Sequence, residues 1–303
     1  MTKDQKPVGV CFFTGPADGG KRFLHLGANN GRMTQFTRAP EHPMSFAATY
    51  LLGLAVISLI LFATWLLQLR TRNAGHVDIT WSFSLGIAAV TYALLADGAL
   101  LMRLLAGVLG LVWSARLGGY LYLRNVGTPE DSRYTALREK WGQQQDRNML
   151  LFYLFQGLMA WILSLPFAIV AFRPDIAAAP LLVAGVLIWA VAVLGEALAD
   201  YQLMRFKANP DNRGQVCRDG LWYYSRHPNY FFESLHWVAY VPLAFASGWW
   251  WLTLISPVLM AWLLLRVSGV PGVETPEGKS KRAGYDEYVR TTSPFIPWPP
   301  KKA

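Results

Sequence analysis

One short stretch of the sequence, residues 220–237, concentrates polar side chains at the edge of an apolar run. It reads GLWYYSRHPNYFFESLHW and places Arg226, His227, Asn229 and Glu233 just before that run or inside it. An ionisable side chain in a membrane-spanning helix costs roughly 2.5 to 3.5 kcal/mol on insertion scales, so it usually faces a partner or a wet cavity. If the run enters a bilayer, these groups are expected to hold a polar ligand or a neighbouring helix.

The helix that should follow this stretch offers an anion site. Pro228 suits the first turn of a helix, and Ser225 or His227 can cap it. The free N–H groups and the positive dipole at such an N-terminus favour an anion such as phosphate, and Arg226 adds positive charge nearby. About 20 residues from Pro228 would make a helix of roughly 30 Å, enough to cross the hydrocarbon. The alternative is an interfacial belt of aromatic and cationic side chains at the lipid headgroups.

A second set of ionisable residues lies near the end of the fifth apolar run. Glu196 and Asp200 are four residues apart and therefore share one helix face, and Arg205 and Lys207 follow within two turns. Carboxylates followed by cations at one helix end can hold a polar ligand that enters from the cytoplasm. Alternatively, the two carboxylates pair with basic groups on a neighbouring helix and stabilise the bundle.

The third apolar run carries Arg116 and Tyr120, again four residues apart. An arginine inside a spanning segment requires a counter-charge, and Asp200 or Glu196 can supply it. Asp78 lies at the start of the second run, where a helix cap is a more common role for an aspartate than catalysis.

These residues belong to a chain with the composition of a membrane protein. Of its 303 residues, 53% are hydrophobic and 16% are charged, whereas soluble domains carry roughly 25% charged residues. The sequence therefore predicts an all-α polytopic membrane helix bundle with about seven transmembrane helices. The predicted spans lie near 46–69, 79–96, 99–123, 149–172, 178–203, 229–247 and 248–268.

The distribution of basic residues predicts the sidedness of the bundle. Outside residues 1–43, Lys and Arg occur mostly after runs one, three and five and in the C-terminal tail. This distribution predicts an N-terminus outside and a cytoplasmic C-terminus. Topology and anionic lipid headgroups account for the net charge of +9, so membrane lipids are expected partners and nucleic acid is not. The two cysteines, Cys11 and Cys217, would lie on opposite sides, and we expect neither a disulfide nor a metal site.

Two terminal segments differ from the membrane domain, which we place at residues 44–303. Residues 1–43 are Gly-rich and lack a sustained apolar period, which is typical of a disordered or loosely attached tail. Met44 stands just before the first span and is an alternative to Met1 as the start. The tail 269–303 is polar and then rich in proline and aromatic residues, and we expect it to fold back on the cytoplasmic face.

The connection 125–147 contains a short amphipathic pattern. Ser132 is a candidate N-cap, and Tyr134, Leu137 and Trp141 follow at helical spacing. This pattern indicates a helix that lies on the membrane surface.

Three stretches together resemble a known superfamily. GLWYYSRHPNYFFE is similar to the RHPNY-x-G-E/D motif of the steroid 5-alpha-reductase and sterol C=C reductase superfamily. ADYQLMRFKANPDNRG is similar to its FRxNP stretch, and GYDEYVRTTSPFIPWPP to its closing Y-x-x-Y…P-x-x-P. From about residue 48 to 300 the chain most resembles bacterial membrane proteins of the domain-of-unknown-function family 1295. That resemblance is carried by DITW, WSARLGGYLYLRN, SPVLMAWLLLRVSG and PFIPWPP.

The resemblance implies a bundle in a bacterial inner membrane that holds NADPH between its helices and opens to the cytoplasm. The family's glycine in the NYFGE motif is replaced by Phe232, and the reductases' catalytic Tyr and Glu have no clear counterpart, although Trp113 falls near the Tyr position. The steroid substrate is therefore not carried over. Cofactor contacts are implied at Arg116, Asp200, Arg205, Lys207, Tyr224, Arg226, His227, Asn229, Tyr230 and Arg266.

The function expected from the sequence is reduction by NADPH of an activated C=C bond in a sterol-like, isoprenoid or fatty-acyl substrate. The conjugated carbonyl needs a hydrogen-bond donor, which Tyr120 or a protonated Glu196 or Glu233 can supply. Related isoprenylcysteine and phospholipid methyltransferases share the RHP-x-Y helix start but bind S-adenosylmethionine, so a membrane methyltransferase is the alternative, and Asn229 favours the reductase. A non-catalytic lipid-binding role is the third hypothesis. The sequence leaves the substrate, the proton donor, the oligomeric state and any protein partner open.

Overall fold

A computed structural model describes residues 44–125, 127–274 and 282–301, with backbone only at 272 and 273. The predicted N-terminal tail, residues 1–43, lies outside this part of the chain and stays a prediction. The described residues are almost entirely helical and contain no β-strand.

The helices are numbered here in chain order. Before the fifth long apolar helix come α1 (Phe46–Thr71), α2 (His76–Leu95), α3 (Leu100–Asn125), α4 (Ser132–Trp141), α5 (Gln145–Leu163) and α6 (Leu165–Ala171). The rest are α7 (Ala179–Ala208), α8 (Leu221–Tyr224), α9 (Pro228–Val238), α10 (Tyr240–Ala244), α11 (Ile255–Trp262), α12 (Val270–Val273) and α13 (Tyr285–Thr291). Single turns of 3-10 helix lie at Gly142–Gln144, Pro210–Asn212 and Trp250–Leu254, and a π-helical turn lies at Leu263–Val267.

Six helical stretches in the described part of the chain are long and apolar enough to cross a membrane. The protein is therefore a multi-pass membrane helix bundle, as the sequence predicted, and the first five predicted spans coincide with helices to within a few residues. The sidedness of the bundle stays a prediction. The six stretches are 46–71, 76–95, 100–125, 132–171, 179–208 and 250–267.

The sixth predicted span is wrong as a single helix. α9 ends at Val238 and α10 ends at Ala244, after which Ala246 adopts a left-handed backbone with a φ of 68°. Pro242 has no N–H to bond to the carbonyl of Val238, so the regular ladder cannot continue there. The segment is therefore two short helices, and the expected count of about seven spans becomes six long helical stretches plus this broken pair.

Small residues let α2 and α3 pack closely. A Cβ atom on Gly110 would lie 2.6 Å from the Cβ of Ala89, and one on Gly107 would lie 2.8 Å from the Cβ of Ala93. Such contacts allow backbones to approach one another in a membrane bundle. They hold α3, which carries Arg116, against the rest of the bundle.

The amphipathic helix in the connection 125–147 forms as α4, but its predicted cap is wrong. Asp131 is the N-cap, and its Oδ1 accepts the N–H of Arg133 at 3.0 Å, whereas Ser132 is the first helical residue. The hydroxyl of Tyr134 donates to Oδ1 of Asp78 at 2.6 Å, and Arg133 donates to its Oδ2 at 3.0 Å. Asp78 therefore ties α4 to the start of α2.

The C-terminal segment, residues 282–301, folds back onto the chain just before α9. The N–H of Arg226 donates to the carbonyl of Ser293 at 2.8 Å, and the N–H of Trp298 donates to that of Tyr224 at 3.0 Å. The fold-back expected from the sequence is present, while its cytoplasmic location stays a prediction.

Candidate functional site

The start of α9 is held by a local set of contacts. Pro228 occupies the first turn, as the sequence predicted. Of the two candidate caps, His227 takes the N-cap position, although its side chain makes no capping hydrogen bond. The N–H of His227 donates to Oγ of Ser225 at 3.1 Å, and its ring stacks on Tyr230 with 5.2 Å between centroids. This arrangement fixes the orientation of the polar residues in the first turn of α9.

A cavity of about 580 Å³ adjoins the end of α7, the start of α9 and α13. This volume lies within the range of roughly 300 to 1,000 Å³ that is typical of ligand pockets. Among the thirteen predicted site residues, six line the cavity, namely Tyr120, Lys207, Arg226, His227, Asn229 and Tyr230.

The charge on the cavity wall is strongly positive. Lys207, Arg124 and Arg282 all line the cavity and are exposed to solvent. None of the three has a carboxylate partner among the described residues. Like charges placed together without a counter-ion disfavour one another, so an anionic ligand would be favoured here. The basic lining residues are Arg124, Lys207, Arg213, Arg226 and Arg282.

One carboxylate, Glu274, is found among the described lining residues. Its Oε1 lies 2.8 Å from Nη1 of Arg226 and 2.9 Å from Nε2 of His227. Burial, followed by the nearby Glu274 carboxylate, raises the pKa of Tyr285 on the same wall. Glu274 therefore neutralises the Arg226 side of the cavity and leaves the Lys207 side positive.

A buried cluster of ionisable residues joins α3, α7 and α9 beside the cavity. Arg116 forms ion pairs with Glu196 and with Asp200, the second at 2.8 Å between Nη1 and Oδ2. Nδ2 of Asn229 donates to Oδ1 of Asp200 at 3.2 Å. Arg116 thus has the counter-charge expected from the sequence and pairs with both carboxylates. These pairs are the inter-helix contacts that the bundle-stabilising alternative predicted, and Asp200 also reaches the cavity wall through Asn229.

Glu233 extends this cluster one turn further along α9. Nε1 of Trp113 donates to its Oε2 at 2.9 Å, and Nε1 of Trp237 donates to its Oε1 at 3.3 Å. Glu196 and Glu233 are both buried, with 4% and 7% of their surface exposed, and neither lines the cavity.

His236 is a buried polar residue to which the sequence assigned no role. It is fully buried and stacks on Trp113 with 4.4 Å between centroids and 11° between planes. Neither ring nitrogen has a hydrogen-bond partner among the described residues, which is rare for buried polar groups. The signal in the sequence is its position three residues after Glu233, which places both on one face of α9.

Five predicted cofactor residues do not line this cavity. Two of them, Arg116 and Asp200, belong to the buried cluster. Arg205 lines a neighbouring cavity of about 480 Å³, which shares Phe206, Asn209 and Asn212 with the first. A helical residue two positions from Lys207 is turned about 200° away from it. Tyr224 is 43% exposed, and Arg266 is exposed in the π-helical turn. The structure does not bring Arg205, Tyr224 and Arg266 to this cavity, and their role in cofactor binding stays a prediction.

The bulky Phe232 does not obstruct the cavity, since it is not among the lining residues. Its ring packs over Gly195 of α7, where an added Cβ would lie 2.5 Å from the Phe232 ring. A glycine on the neighbouring helix therefore makes room for the ring that replaces the family's glycine.

The sequence matches a known protein family. The family described as "Protein of unknown function (DUF1295)" matches residues 64–292. The matched region contains every residue of the buried cluster and all the described lining residues of the cavity. No curated protein and no solved structure matches the chain.

Proposed function

The chain belongs to the DUF1295 family, and from this premise we propose that it is a membrane reductase that binds NADPH in the cavity. Its substrate is a lipophilic molecule of the sterol-like, isoprenoid or fatty-acyl class that contains an activated C=C bond. The proposal combines the resemblance of the RHPNY stretch to reductases with the charge and location of the cavity.

The observation that carries this proposal is the positive charge around Lys207, which has no carboxylate partner in the described part of the chain. NADPH presents three phosphate groups, and three cations on one cavity wall suit such a ligand. S-adenosylmethionine carries no phosphate, and its sulfonium and ammonium groups would be repelled by the same cations. The charge of the cavity therefore favours a phosphorylated dinucleotide over the methyl donor.

The lining residues divide into two groups by what they can do. Arg124, Lys207 and Arg282 bind phosphate, and Asn229 and Tyr230 orient the ligand from the start of α9. When bound, NADPH supplies the hydride for the reduction. The protein holds it at the end of the bundle that is predicted to face the cytosol, where the cofactor pool lies.

Among the three candidate proton donors, Tyr120 has the position that supports direct contact with a ligand. Its side chain lines the cavity and interacts with Arg124 and Asp200. Glu196 and Glu233 lie deeper, behind Asp200. We assign the polarisation of the substrate carbonyl to Tyr120, because the two glutamates lie further from the cavity.

The proposal is tested by ligand binding to the purified protein in detergent. The melting temperature is measured with NADPH, NADH, S-adenosylmethionine and glycerol 3-phosphate, the last as a probe for a lipid-headgroup site. We expect NADPH to stabilise the protein most. Stabilisation by S-adenosylmethionine without an effect of NADPH would establish the methyltransferase instead, and an effect of glycerol phosphate alone would support lipid binding.

The chain offers a matched pair of variants for this experiment. Lys207→Gln removes a cation from the cavity wall, and Arg205→Gln removes one that lines only the neighbouring cavity. Both lie at the same end of α7 and change the net charge equally. Only Lys207→Gln should weaken NADPH binding, and equal effects of the two would indicate non-specific attraction rather than a site.

A further inference from the structure

A second cavity, of about 480 Å³, adjoins the first at the end of α7. The two cavities share Phe206, Asn209 and Asn212 and differ in the rest of their lining. The volume of the second lies within the range of roughly 300 to 1,000 Å³ that is typical of ligand pockets, and no residue that lines it alone takes part in the proposed reduction. The residues that line only the second cavity are Leu198, Tyr201, Gln202, Arg205, Asp219 and Gly220.

The loop that precedes α8 is held against α7 at this cavity. The N–H of Leu221 donates to Oε1 of Gln202 at 2.9 Å. Gly220 has a φ of 55°, which glycine adopts without strain, and a Cβ atom at this position would collide with the amide of Gln202. The close approach of this glycine to α7 places Asp219, one residue earlier, on the same cavity wall as Arg205.

An apolar stripe along α7 ends at this cavity. Its side chains recur every three or four residues and therefore share one face of the helix, and each is between 47% and 69% exposed. Arg205 continues the same spacing, four residues after the last of them. An exposed tyrosine and an exposed arginine at the end of a spanning helix are typical of the lipid headgroup region. The stripe residues are Leu187, Val191, Leu194, Leu198 and Tyr201.

The second cavity carries one positive and one negative charge on its described lining, contributed by Arg205 and Asp219. Both residues are exposed. In the described part of the chain, neither has an ion-pair partner, and the two do not pair with each other. This cavity therefore suits a ligand that has both a phosphate and an ammonium group, in contrast to the mainly basic first cavity.

We propose that the second cavity binds the head group of a membrane phospholipid of the phosphatidylethanolamine class. Arg205 binds the phosphate, for which the guanidinium is well shaped, and Asp219 accepts hydrogen bonds from the primary ammonium. An acyl chain of the lipid lies along the stripe on α7. This site is separate from the proposed cofactor site and does not depend on the reductase function.

The charges of the cavity select among phospholipids. Phosphatidylglycerol has the phosphate but no ammonium group, so its negative charge would face Asp219 without compensation. Phosphatidylcholine has a quaternary ammonium group, which has no N–H to donate to the carboxylate. Two competing explanations are a general attraction of anionic lipids to a basic surface and an extension of the cofactor site into the second cavity.

Native mass spectrometry of the full chain in detergent measures lipid binding directly. Phosphatidylethanolamine, phosphatidylglycerol and phosphatidylcholine with identical acyl chains are titrated separately. We expect phosphatidylethanolamine to bind roughly fivefold more tightly than the other two, which corresponds to one charged contact near a membrane surface. Binding of phosphatidylglycerol that is as tight or tighter would overturn the proposal.

The soluble head group separates a lipid from a free phosphate compound as the ligand. Glycerophosphoethanolamine carries the same charges but lacks the acyl chains that would lie along the stripe. It should displace the lipid only at a concentration at least about tenfold higher than that of phosphatidylethanolamine, since buried acyl groups add to lipid affinity. Equal potency of the two would exclude the stripe from the site and overturn the assignment to a lipid.

The cation is tested by a matched pair of variants on α7. Arg205→Gln should weaken the binding of phosphatidylethanolamine roughly fivefold. Lys207→Gln changes the net charge equally but lines only the first cavity, and it should leave lipid binding unchanged. Equal effects of the two variants would indicate general electrostatic attraction and contradict a site at Arg205.

The carboxylate is tested in the same way. Asp219→Asn should weaken the binding of phosphatidylethanolamine and strengthen that of phosphatidylglycerol, so that the preference between them is lost. Asp211→Asn is the control, because Asp211 is an exposed carboxylate nearby that lines neither cavity. A preference that survives in Asp219→Asn would remove Asp219 from the site.

NADPH distinguishes a lipid site from an extended cofactor site. Saturating NADPH should leave the binding of phosphatidylethanolamine to the wild-type protein unchanged, whereas displacement of the lipid would show that the two cavities form one site and would overturn the proposal. If the lipid binds with the expected preference and NADPH does not bind at all, the lipid site stands and the reductase proposal is wrong.

Discussion

Asn229 on α9 donates a hydrogen bond to Asp200 on α7 at 3.2 Å, and the other carboxylate oxygen of Asp200 pairs with Arg116 on α3 at 2.8 Å. Since Asn229 also lines the cavity, one side chain connects the candidate ligand site with the buried ion pairs. A ligand that binds Asn229 would therefore also affect its hydrogen bond to Asp200 and, through Asp200, the ion pair with Arg116.

Asn229→Ala should impair both ligand binding and stability. A lost hydrogen bond to a buried polar ligand costs about 1 to 3 kcal/mol, which is roughly 5- to 150-fold in affinity. The hydrogen bond to Asp200 adds a loss of about 0.5 to 1.5 kcal/mol in the ligand-free protein. NADPH titration and thermal denaturation measure the two effects. Asn148→Ala on α5 is the control, and an unchanged NADPH affinity of Asn229→Ala would make Asn229 a purely structural residue.

Arg116→Ala should destabilise the bundle strongly. Breaking a buried ion pair by removal of one partner typically costs about 3 to 5 kcal/mol, because the remaining charge stays buried. Here two carboxylates, Glu196 and Asp200, lose their counter-charge. Unfolding in detergent should show this loss, and adding Asp200→Asn to Arg116→Ala should recover part of it. Near wild-type stability of Arg116→Ala alone would contradict the ion pairs of Arg116 with Glu196 and Asp200.

Cys217 offers a reporter for cavity occupancy. The thiol lines the cavity and is 7% exposed, and burial raises its pKa. A raised pKa means less thiolate at any given pH, so alkylation in a Cys11→Ser background should be slow at neutral pH. The alkylation rate of Cys217 should still increase with pH in a range where the rate of an ordinary thiol has reached its plateau. Bound NADPH should protect Cys217, and equal rates in the folded and SDS-unfolded protein would show that the thiol is freely accessible.

Gly195 and Phe232 should be energetically coupled. Gly195→Ala places a methyl group against the Phe232 ring, and overpacking of this kind typically costs about 1 to 3 kcal/mol. Phe232→Leu in the same chain should relieve most of that cost, while Phe232→Leu alone should leave NADPH affinity unchanged. A double-mutant cycle by thermal denaturation measures the coupling, and strictly additive effects would contradict direct contact.

The predicted sidedness can be tested with reporter fusions. A reporter at the C-terminus should be active in the cytoplasm, and one joined after Ile176, between α6 and α7, should report the opposite side, because basic connections remain inside. The reverse pattern would place the basic cavity away from the cytosolic NADPH pool and would count against the proposed cofactor.

The spans and the start of α9 could be predicted from the sequence because their causes are local. Hydrocarbon requires long apolar helices with satisfied backbone groups, so apolar length alone identifies most spans. Pro228 in the first turn of α9 is likewise a property of one residue and its backbone. The sequence suggested that Arg205 and Lys207 form a single cationic site at the end of α7. Helical periodicity alone shows that their side chains leave the helix in nearly opposite directions.

The partners of the ionisable residues were decided only by tertiary structure. Whether Glu196 and Asp200 meet a ligand or Arg116 depends on how α3 and α7 are rotated against each other, and no local pattern records that rotation. The same holds for His236, whose burial without a hydrogen-bond partner in the described chain results from packing against Trp113. Whether a segment forms a helix is therefore determined by its own sequence, whereas the polar contacts between helices depend on the packing of the whole bundle.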